Sequence, residues 1–434
     1  MTVMGIIMMV VLAIIGFPLY LAIIACGIFI MVVELDIDLV YPLGQMFDQV
    51  ADYNLLAIPL FVFLGQVLAS GGAGKSLVRF LNAFVGHIRG GPAYALVIAS
   101  VIVAAMCAHP LAAIAGFGPL IIPMLVALGY SEVFAIGLLL ASASLAPLIP
   151  PSTMAIIYVF MANQSQTGSD KVSLDVTTMW TGSIIPGVII AFLLCVVIYI
   201  YAKKTNSQCL PAASWAERWE SLKEAWPVAL TPFAVLGPLY FNWANPTEVA
   251  AIGIIYIVFI SRVFYSGLTW KNFWLAGTST VRVLGAIFLI IMAALLLNFV
   301  FQRADVPQDI TSWITDMDLS WWSFFAVLII LYIFMGMFLD PSAIVLVVVP
   351  MLIPAAKDLG IDLYVFGVFT VVAVTMAGMT PPYGLTIFAS QSILGMPYHK
   401  VVRACILFLP ALVVGLIIVA YIEPVTTWLP TVLD

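Results

Sequence analysis

Long apolar runs separated by short polar stretches form the main pattern of this sequence. About a dozen of these runs approach the ~20 residues that an α-helix needs to cross a bilayer. The most continuous runs cover residues 183–202, 228–241, 249–260, 284–300, 322–338 and 406–421. Their polar positions follow no helical period, as expected for helices that are apolar on every face. The pattern predicts an all-α integral membrane protein.

The N-terminal run is too long for one straight crossing. Residues 1–33 are apolar almost throughout and begin without the basic residues of a secretory signal, so we expect no cleavage here. A single helix of this length would measure about 50 Å. The tripeptide Gly16-Phe17-Pro18 predicts a break between two helices.

The chain also contains an internal duplication with an offset of 231 residues. His109-Pro110 aligns with Asp340-Pro341, and Pro150-Pro151 aligns with Pro381-Pro382. Both copies are apolar and interrupted midway. Matching hydrophobic segments with Gly or Pro interruptions indicate a secondary transporter whose substrate site lies at the interruptions.

Loop charges indicate that the two copies are inverted in the membrane, because basic residues mark cytoplasmic loops. Residues 75–89 are basic without an acid, whereas the corresponding region 303–318 is rich in aspartate. The next pair of corresponding regions shows the opposite bias: residues 164–180 contain two aspartates and one lysine, whereas residues 399–403 are basic. This assignment predicts that residues 203–223 and 262–271 lie inside and the C-terminal tail outside. Lys357 is the one exception, since it falls outside.

Each copy has one titratable residue near the middle of a long apolar stretch: His109 between Arg89 and Glu132, and Asp340 between Asp318 and Lys357. Such a residue is costly at bilayer depth and is functional by default. The proline after it ends one helix and starts the next. We predict two re-entrant hairpins with tips at 106–110 and 336–341. The alternative is two ordinary helix pairs whose turns reach the far surface.

A second break follows each tip by about forty residues, at 142–152 and 375–384. The double proline in each break removes backbone N–H donors and leaves carbonyl oxygens free. Free carbonyls and nearby hydroxyls suit a dehydrated Na⁺, and the helix that follows points its positive dipole end at any anion bound there. A simple structural kink is the alternative reading. We therefore predict two broken transmembrane helices.

Composition excludes several classes of protein. Hydrophobic residues make up 64% of the 434 residues and charged residues only 8%, far below the roughly 25% of a soluble domain. The net charge of −6 argues against nucleic-acid binding. The five cysteines show no disulfide or metal spacing, and ASGGAGKS at 69–76 lacks the first glycine of a phosphate loop. We therefore expect no catalytic residues, no enzyme activity and no cofactor.

Four motifs together resemble the large membrane subunit of tripartite ATP-independent periplasmic (TRAP) transporters, the DctM-like family. These motifs are Pro150-Pro-Ser152 with Ile-Ile-Tyr158, Gly182-Ser-Ile-Ile-Pro186-Gly187, Gly336-Met-Phe-Leu-Asp340-Pro, and Gly378-Met-Thr-Pro-Pro-Tyr-Gly384. The resemblance implies an elevator-type, Na⁺-coupled symporter in a bacterial inner membrane. Its substrate would be a small organic anion, either a carboxylate (a dicarboxylate or sialic acid) or a sulfonate. A periplasmic binding protein and a small four-helix membrane subunit, expected as a separate chain, would be its partners.

On this reading the chain divides into scaffold helices (1–88), a first repeat (89–202), a cytoplasmic connector (203–224), further scaffold helices (225–318), a second repeat (319–402) and a C-terminal scaffold helix (403–434). The resemblance implies a first Na⁺ site at Cys107, His109, Ser142, Ser144, Pro147 and Pro150. It implies a second Na⁺ site at Gly336, Asp340, Gly378, Thr380 and Tyr383. We expect the substrate to contact His109, Ser152, Asp340 and Thr386.

The chain departs from the family at the first tip, which is usually rich in serine and glycine but here reads Met106-Cys-Ala-His-Pro110. His109 could contact the anion or carry a proton instead. The segment 164–180 is also longer than is usual. A stand-alone Na⁺- or H⁺-coupled anion carrier without a binding protein is the main alternative, and a membrane scaffold or proton-channel subunit is another.

Overall fold

The computed structural model describes residues 2–37, 40–107, 109–166, 172–205, 208–241, 243–382 and 384–433. These residues form 21 α-helices, a π-helical turn at Met31–Leu35 and a 3-10 turn at Tyr53–Leu56, and they contain no strand. The helices of the N-terminal half are α1 (Thr2–Ile15), α2 (Leu19–Ile30), α3 (Val40–Val50), α4 (Ala57–Ser70), α5 (Ala73–Val85), α6 (Gly91–Cys107), α7 (Pro110–Ala127), α8 (Glu132–Ala143), α9 (Thr153–Ser165) and α10 (Val176–Thr205). The helices of the C-terminal half are α11 (Trp215–Ala229), α12 (Thr231–Tyr240), α13 (Pro246–Val263), α14 (Trp270–Arg303), α15 (Val306–Asp316), α16 (Trp321–Gly336), α17 (Pro341–Asp358), α18 (Leu363–Ala377), α19 (Leu385–Leu394), α20 (Tyr398–Tyr421) and α21 (Pro424–Leu433).

Seven described helices are long and apolar enough to cross a membrane, which confirms a multi-pass membrane protein. They are Tyr53–Ser70, Pro110–Ala127, Val176–Thr205, Pro246–Val263, Trp270–Arg303, Pro341–Asp358 and Tyr398–Tyr421. The break predicted at Gly16–Pro18 is also confirmed, because α1 ends at Ile15 and α2 begins at Leu19. The run 228–241 is divided at Leu230, since Pro232 starts a new helix there.

The duplication in sequence is matched in the helices. Helices α7 and α17 both contain 18 residues, and they begin at Pro110 and Pro341, an offset of 231. The turn that follows each of them contains a left-handed glycine, Gly129 at φ 85° and Gly360 at φ 70°. A residue with a side chain is strained in this conformation, so glycine fixes where each helix stops. Helices α8 and α18 then begin at the same offset.

The two copies pack into each other and share one core. Helix α9 of the first copy lies on α17 of the second, and α8 lies on α20. Tyr158 is fully buried at this junction, and its hydroxyl donates to the Leu363 carbonyl at 2.6 Å. Helix α14, which belongs to neither predicted hairpin, packs on α17 and also contacts α4. The two predicted hairpins are therefore held together by interlocked helices, with α14 beside them.

The long segment 164–180 is tied down by side-chain amides where the structure describes it. Asn163 exchanges two hydrogen bonds of 2.9 Å with the backbone of Leu174, and Gln166 does the same with Val172. Lys357, the exception to the loop-charge pattern, donates from Nζ to Gln166 Oε1 at 2.8 Å. This lysine therefore joins the end of α17 to the segment, a structural role that accounts for its position.

Candidate functional site

A cavity of about 210 Å³ lies where the two copies meet. The described residues that line it are His109, Pro110, Leu111, Ser144, Pro147, Met154, Val283, Ala286, Ile287, Asp340, Pro341, Ser342, Thr375, Gly378 and Thr386. Ten of the fifteen form five pairs at the 231-residue offset: His109 with Asp340, Pro110 with Pro341, Leu111 with Ser342, Ser144 with Thr375, and Pro147 with Gly378. The cavity therefore lies at the interface of the duplicated halves, where substrate sites occur in transporters built from repeats.

The two hairpin tips present their titratable residues to this cavity in the same local structure. His109 is the N-cap of α7, and its Nδ1 accepts a hydrogen bond from the Leu111 N–H at 3.3 Å. Asp340 is the N-cap of α17, and its Oδ1 accepts from the Ser342 N–H at 2.8 Å. A proline follows each cap, in the first helical position that it favours. Each side chain thus satisfies one free N–H of its helix.

The arrangement also brings two helix N-termini to the cavity. The N-termini of α7 and α17 both open onto it, through Pro110 and Leu111 and through Pro341 and Ser342. The free N–H groups of a helix N-terminus carry a partial positive charge, equivalent to roughly half an elementary charge for a long helix. His109 is buried, and because its Nδ1 accepts from the backbone, the neutral ring carries its proton on Nε2. Nε2 can therefore donate to a ligand.

The first break contributes small polar groups, most of them already engaged. Ser144 Oγ donates to the Ala141 carbonyl at 2.7 Å. Ser152 caps α9, accepts from the Ala155 N–H at 3.1 Å and donates to the Pro147 carbonyl. Ser142 Oγ is different, because it is fully buried and has no hydrogen-bond partner among the described residues. A buried hydroxyl of this kind needs a ligand or a water to offset its desolvation.

The second break lies against the second tip. A Cβ added to Gly336 would be 2.1 Å from Ala377 Cβ, and one added to Gly378 would be 3.2 Å from Pro341 Cγ. The tip and the break can approach this closely only because both positions are glycine. Thr386 Oγ1 donates to the Gly378 carbonyl at 2.9 Å, and Thr380 Oγ1 donates to the Met376 carbonyl at 3.4 Å.

The predicted site residues fall into three groups. His109, Ser144, Pro147, Asp340, Gly378 and Thr386 line the cavity together. Five others are buried and do not line it: Ser142, Pro150, Ser152, Gly336 and Thr380. Tyr383 and the side chain of Cys107 lie outside the described residues.

Sequence reasoning missed one wall of the cavity. Val283, Ala286 and Ile287 come from α14, and Met154 from the start of α9. Helix α14 runs without a break and contains no proline or acidic residue, so nothing in its sequence marks it as part of a site. Thr375 could have been found, because it is the offset partner of the predicted residue Ser144, whereas Ser342 is the partner of the apolar Leu111, which gave no signal.

Comparison with known proteins gives a consistent picture. Residues 6–425 match the family model described as the tripartite ATP-independent periplasmic transporter, DctM component. The C4-dicarboxylate TRAP transporter large permease protein DctM of Pseudomonas aeruginosa is 34% identical over 386 residues, which is 89% of this chain and 88% of that protein. The sialic acid TRAP transporter large permease protein SiaM of Vibrio cholerae is 28% identical, with 96% of this chain and 95% of that protein covered.

The chain is also similar to a third permease and, in its fold, to a solved structure. The ectoine/5-hydroxyectoine TRAP transporter large permease protein UehC of Ruegeria pomeroyi is 29% identical, with 91% of this chain and 90% of that protein covered. The crystal structure of the YdaH transporter of Alcanivorax borkumensis superposes with a TM-score of 0.61 at 15% identity, with 88% of this chain and 87% of that chain covered. At this identity the likeness to YdaH concerns the fold alone.

Proposed function

Because this chain belongs to the DctM component family of TRAP transporters, we propose that it is the membrane subunit of a Na⁺-coupled importer of a small organic anion. One observation carries the proposal. Two duplicated hairpin tips, capped by His109 and Asp340, converge on one cavity whose walls are paired residues of the two copies. An inverted repeat that converges on a single site is the arrangement from which alternating access is built.

A carboxylate is the substrate group we favour. The two helix N-termini at the cavity supply backbone N–H groups and positive dipole ends, and His109 Nε2 and the Ser342 hydroxyl add donors. Relatives named for C4-dicarboxylate and sialic acid transport support this choice. The cavity of about 210 Å³ suits a small metabolite. A sulfonate presents similar acceptor oxygens and belongs to the same proposal.

We place the Na⁺ sites where each tip meets its break. Na⁺ is a hard cation that prefers oxygen ligands. The contacts of Gly336 with Ala377 and of Gly378 with Pro341 bring backbone carbonyls of tip and break close together at the second site. At the first site, the buried and unpartnered hydroxyl of Ser142 supports a cation ligand role. Each Na⁺ would then join a hairpin tip to the helix behind it.

The transport step we propose is an elevator movement in a bacterial inner membrane. The interlocked helices of the two copies, together with α20, which packs on α8, would slide as a unit against α14 and the remaining scaffold helices. A periplasmic binding protein would deliver the anion, and a small four-helix membrane subunit would complete the scaffold. Family membership supports these partners.

The test is uptake into proteoliposomes that contain this chain and its small subunit, with the binding protein and radiolabelled succinate or sialic acid outside. We expect uptake to require an inward Na⁺ gradient and the binding protein. Asp340→Asn should lower uptake about tenfold or more, because it removes the charge and keeps an equally good N-cap. Asp316→Asn, on the exposed end of α15, is the matched control and should leave uptake unchanged.

Three results would contradict parts of this proposal. Uptake driven by a proton gradient alone and abolished in His109→Ala would replace Na⁺ with H⁺ as the coupling ion. Uptake without the binding protein would favour the stand-alone carrier. Equal loss of uptake in Asp340→Asn and Asp316→Asn would remove Asp340 from the site.

A further inference from the structure

Helix α14 supplies three of the five described lining residues that lack an offset partner in the cavity. Val283, Ala286 and Ile287 line the cavity, whereas their offset partners in the first copy, Asp52, Leu55 and Leu56, do not. Ala286 is exposed although it lines the cavity. The mouth of the cavity therefore lies along α14.

One charged residue stands on this wall. Between Lys271 and Arg303, Arg282 is the only acid or base in the sequence of α14. It precedes Ala286 by four residues, so the two lie on one face of the helix, about 6 Å apart along its axis. Arg282 is exposed, like Ala286. An arginine is always charged and is costly against lipid, so its guanidinium is expected to face water or an anion.

The side of the membrane follows from lengths along the helix. The 21 residues from Arg282 to Arg303 span about 31 Å, close to the thickness of the hydrocarbon core. Arg282 would then lie at one boundary of the core when Arg303 lies at the other. The loop charges place Lys271 on the cytoplasmic side. The mouth beside Arg282 is accordingly the cytoplasmic one.

Charge balance gives Arg282 a role. Among the described residues lining the cavity there is no Lys or Arg, and Asp340 brings a carboxylate. A dicarboxylate that leaves this cavity gives up the N–H groups of the helix N-termini, and Arg282 is the basic residue of α14 next to the lining residues Val283 and Ala286. A guanidinium at the mouth offers paired N–H donors in the geometry that a carboxylate accepts.

We propose that Arg282 is the anion-binding residue at the cytoplasmic mouth of the cavity, which holds the carboxylate of the substrate between the cavity and the cytoplasm. This inference rests on the proposed transport of an organic anion. It assigns the residue a binding and selectivity role at the exit. Loss of the guanidinium should weaken the interaction of the anion with the inward-facing site and leave delivery from the periplasm intact.

The test compares Arg282→Gln with Arg282→Lys and with Lys271→Gln, an exposed position on the same helix that changes charge equally. The probe is succinate or sialic acid, whichever the wild-type complex accumulates. Cytoplasmic-side affinity is measured as the internal probe concentration that half-inhibits net uptake into preloaded vesicles. We expect Arg282→Gln to raise this half-inhibiting concentration roughly 10- to 100-fold. Arg282→Lys should recover part of this loss, and Lys271→Gln should match wild type.

A labelling experiment checks the location of Arg282 independently of transport rate. Arg282→Cys, made with Cys209→Ser because Cys209 is an exposed cysteine, should react with a membrane-impermeant thiol reagent from the cytoplasmic side, and the probe should slow the reaction. Wild-type uptake with unchanged cytoplasmic affinity in Arg282→Gln would overturn the role of Arg282 and leave the proposed function standing. An Arg282→Cys thiol that does not react from the cytoplasmic side would overturn the location. Failure of the wild type to accumulate either anion would overturn both proposals.

Discussion

At the residue scale, His109 and Asp340 show that one local structure can carry two different side chains. Both cap a helix through an acceptor atom and both precede a proline. The cap requires only an acceptor on a short side chain, so the remaining chemistry of the residue is free to differ. The sequence alone located both residues, because the proline marks the cap and the apolar surroundings mark the cost of the titratable group. The resemblance also led us to expect both residues at one substrate site, and both line one cavity in the structure.

Substitutions at His109 should separate capping from ligand chemistry. His109→Ala removes the Nδ1 acceptor of the Leu111 N–H and should destabilise the protein by about 1 kcal/mol. His109→Asn restores an acceptor and should recover that loss without restoring a titratable ring. Thermal unfolding of the purified protein in detergent measures both. Equal melting temperatures for His109→Ala and wild type would show that the cap contributes nothing.

Gly336 is a site residue whose size the structure constrains directly. In Gly336→Ala the new methyl group would overlap Ala377 across the junction of tip and break. We expect a loss of roughly 1–3 kcal/mol from overpacking, together with weaker Na⁺ activation of uptake. Gly285→Ala is the control, because no atom lies within 4 Å of its Cβ position on α14. A Gly336→Ala variant with wild-type melting temperature and wild-type Na⁺ dependence would exclude the close contact.

At the element scale, some prolines start helices and others lie inside them, and the sequence alone predicts only part of this difference. Those after His109 and Asp340 start helices, as predicted, whereas Pro119 and Pro123 lie inside α7 and their partners Pro350 and Pro354 lie inside α17. The tips and breaks were predictable because Pro and Gly act through local backbone geometry. The α14 wall and the amide pairs of segment 164–180 were not, because both depend on contacts between segments distant in sequence.

The connector helix α11 should show a dependence on pH. Hydrogen bonds from the backbone N–H and the hydroxyl of Ser214 hold the pKa of Glu217 below its usual range in the folded helix. The stabilisation is therefore present above the usual carboxyl pKa and is lost as pH falls through the lowered folded value. Hydrogen-exchange protection of α11, corrected for intrinsic rates, should decrease on acidification. Glu217→Gln should remove the dependence of α11 protection on pH. If the dependence persists in that variant, another group causes it.

At the scale of the whole molecule, the packing suggests which parts move together. Lys400 pairs with Glu132 and Lys357 with Gln166, and both contacts join helices of one copy to helices of the other. These polar contacts add to the interlocked core around Tyr158. Helix α14, in contrast, meets the pair of copies along the cavity wall. The molecule thus has tight links between its two copies, and its opening lies at the border with α14.

The proposed elevator movement should make two cross-links behave differently. Ile287→Cys with Ser342→Cys joins α14 to α17 across the cavity, so oxidation should abolish uptake and a reducing agent should restore it. Glu132→Cys with Lys400→Cys replaces an ion pair between the two copies, so its cross-link should leave uptake near wild type because both residues move together. Each uptake value is compared with the fraction cross-linked, measured by mass spectrometry. Full uptake with the first pair cross-linked would mean that α14 moves with α17, and the elevator would need a different boundary.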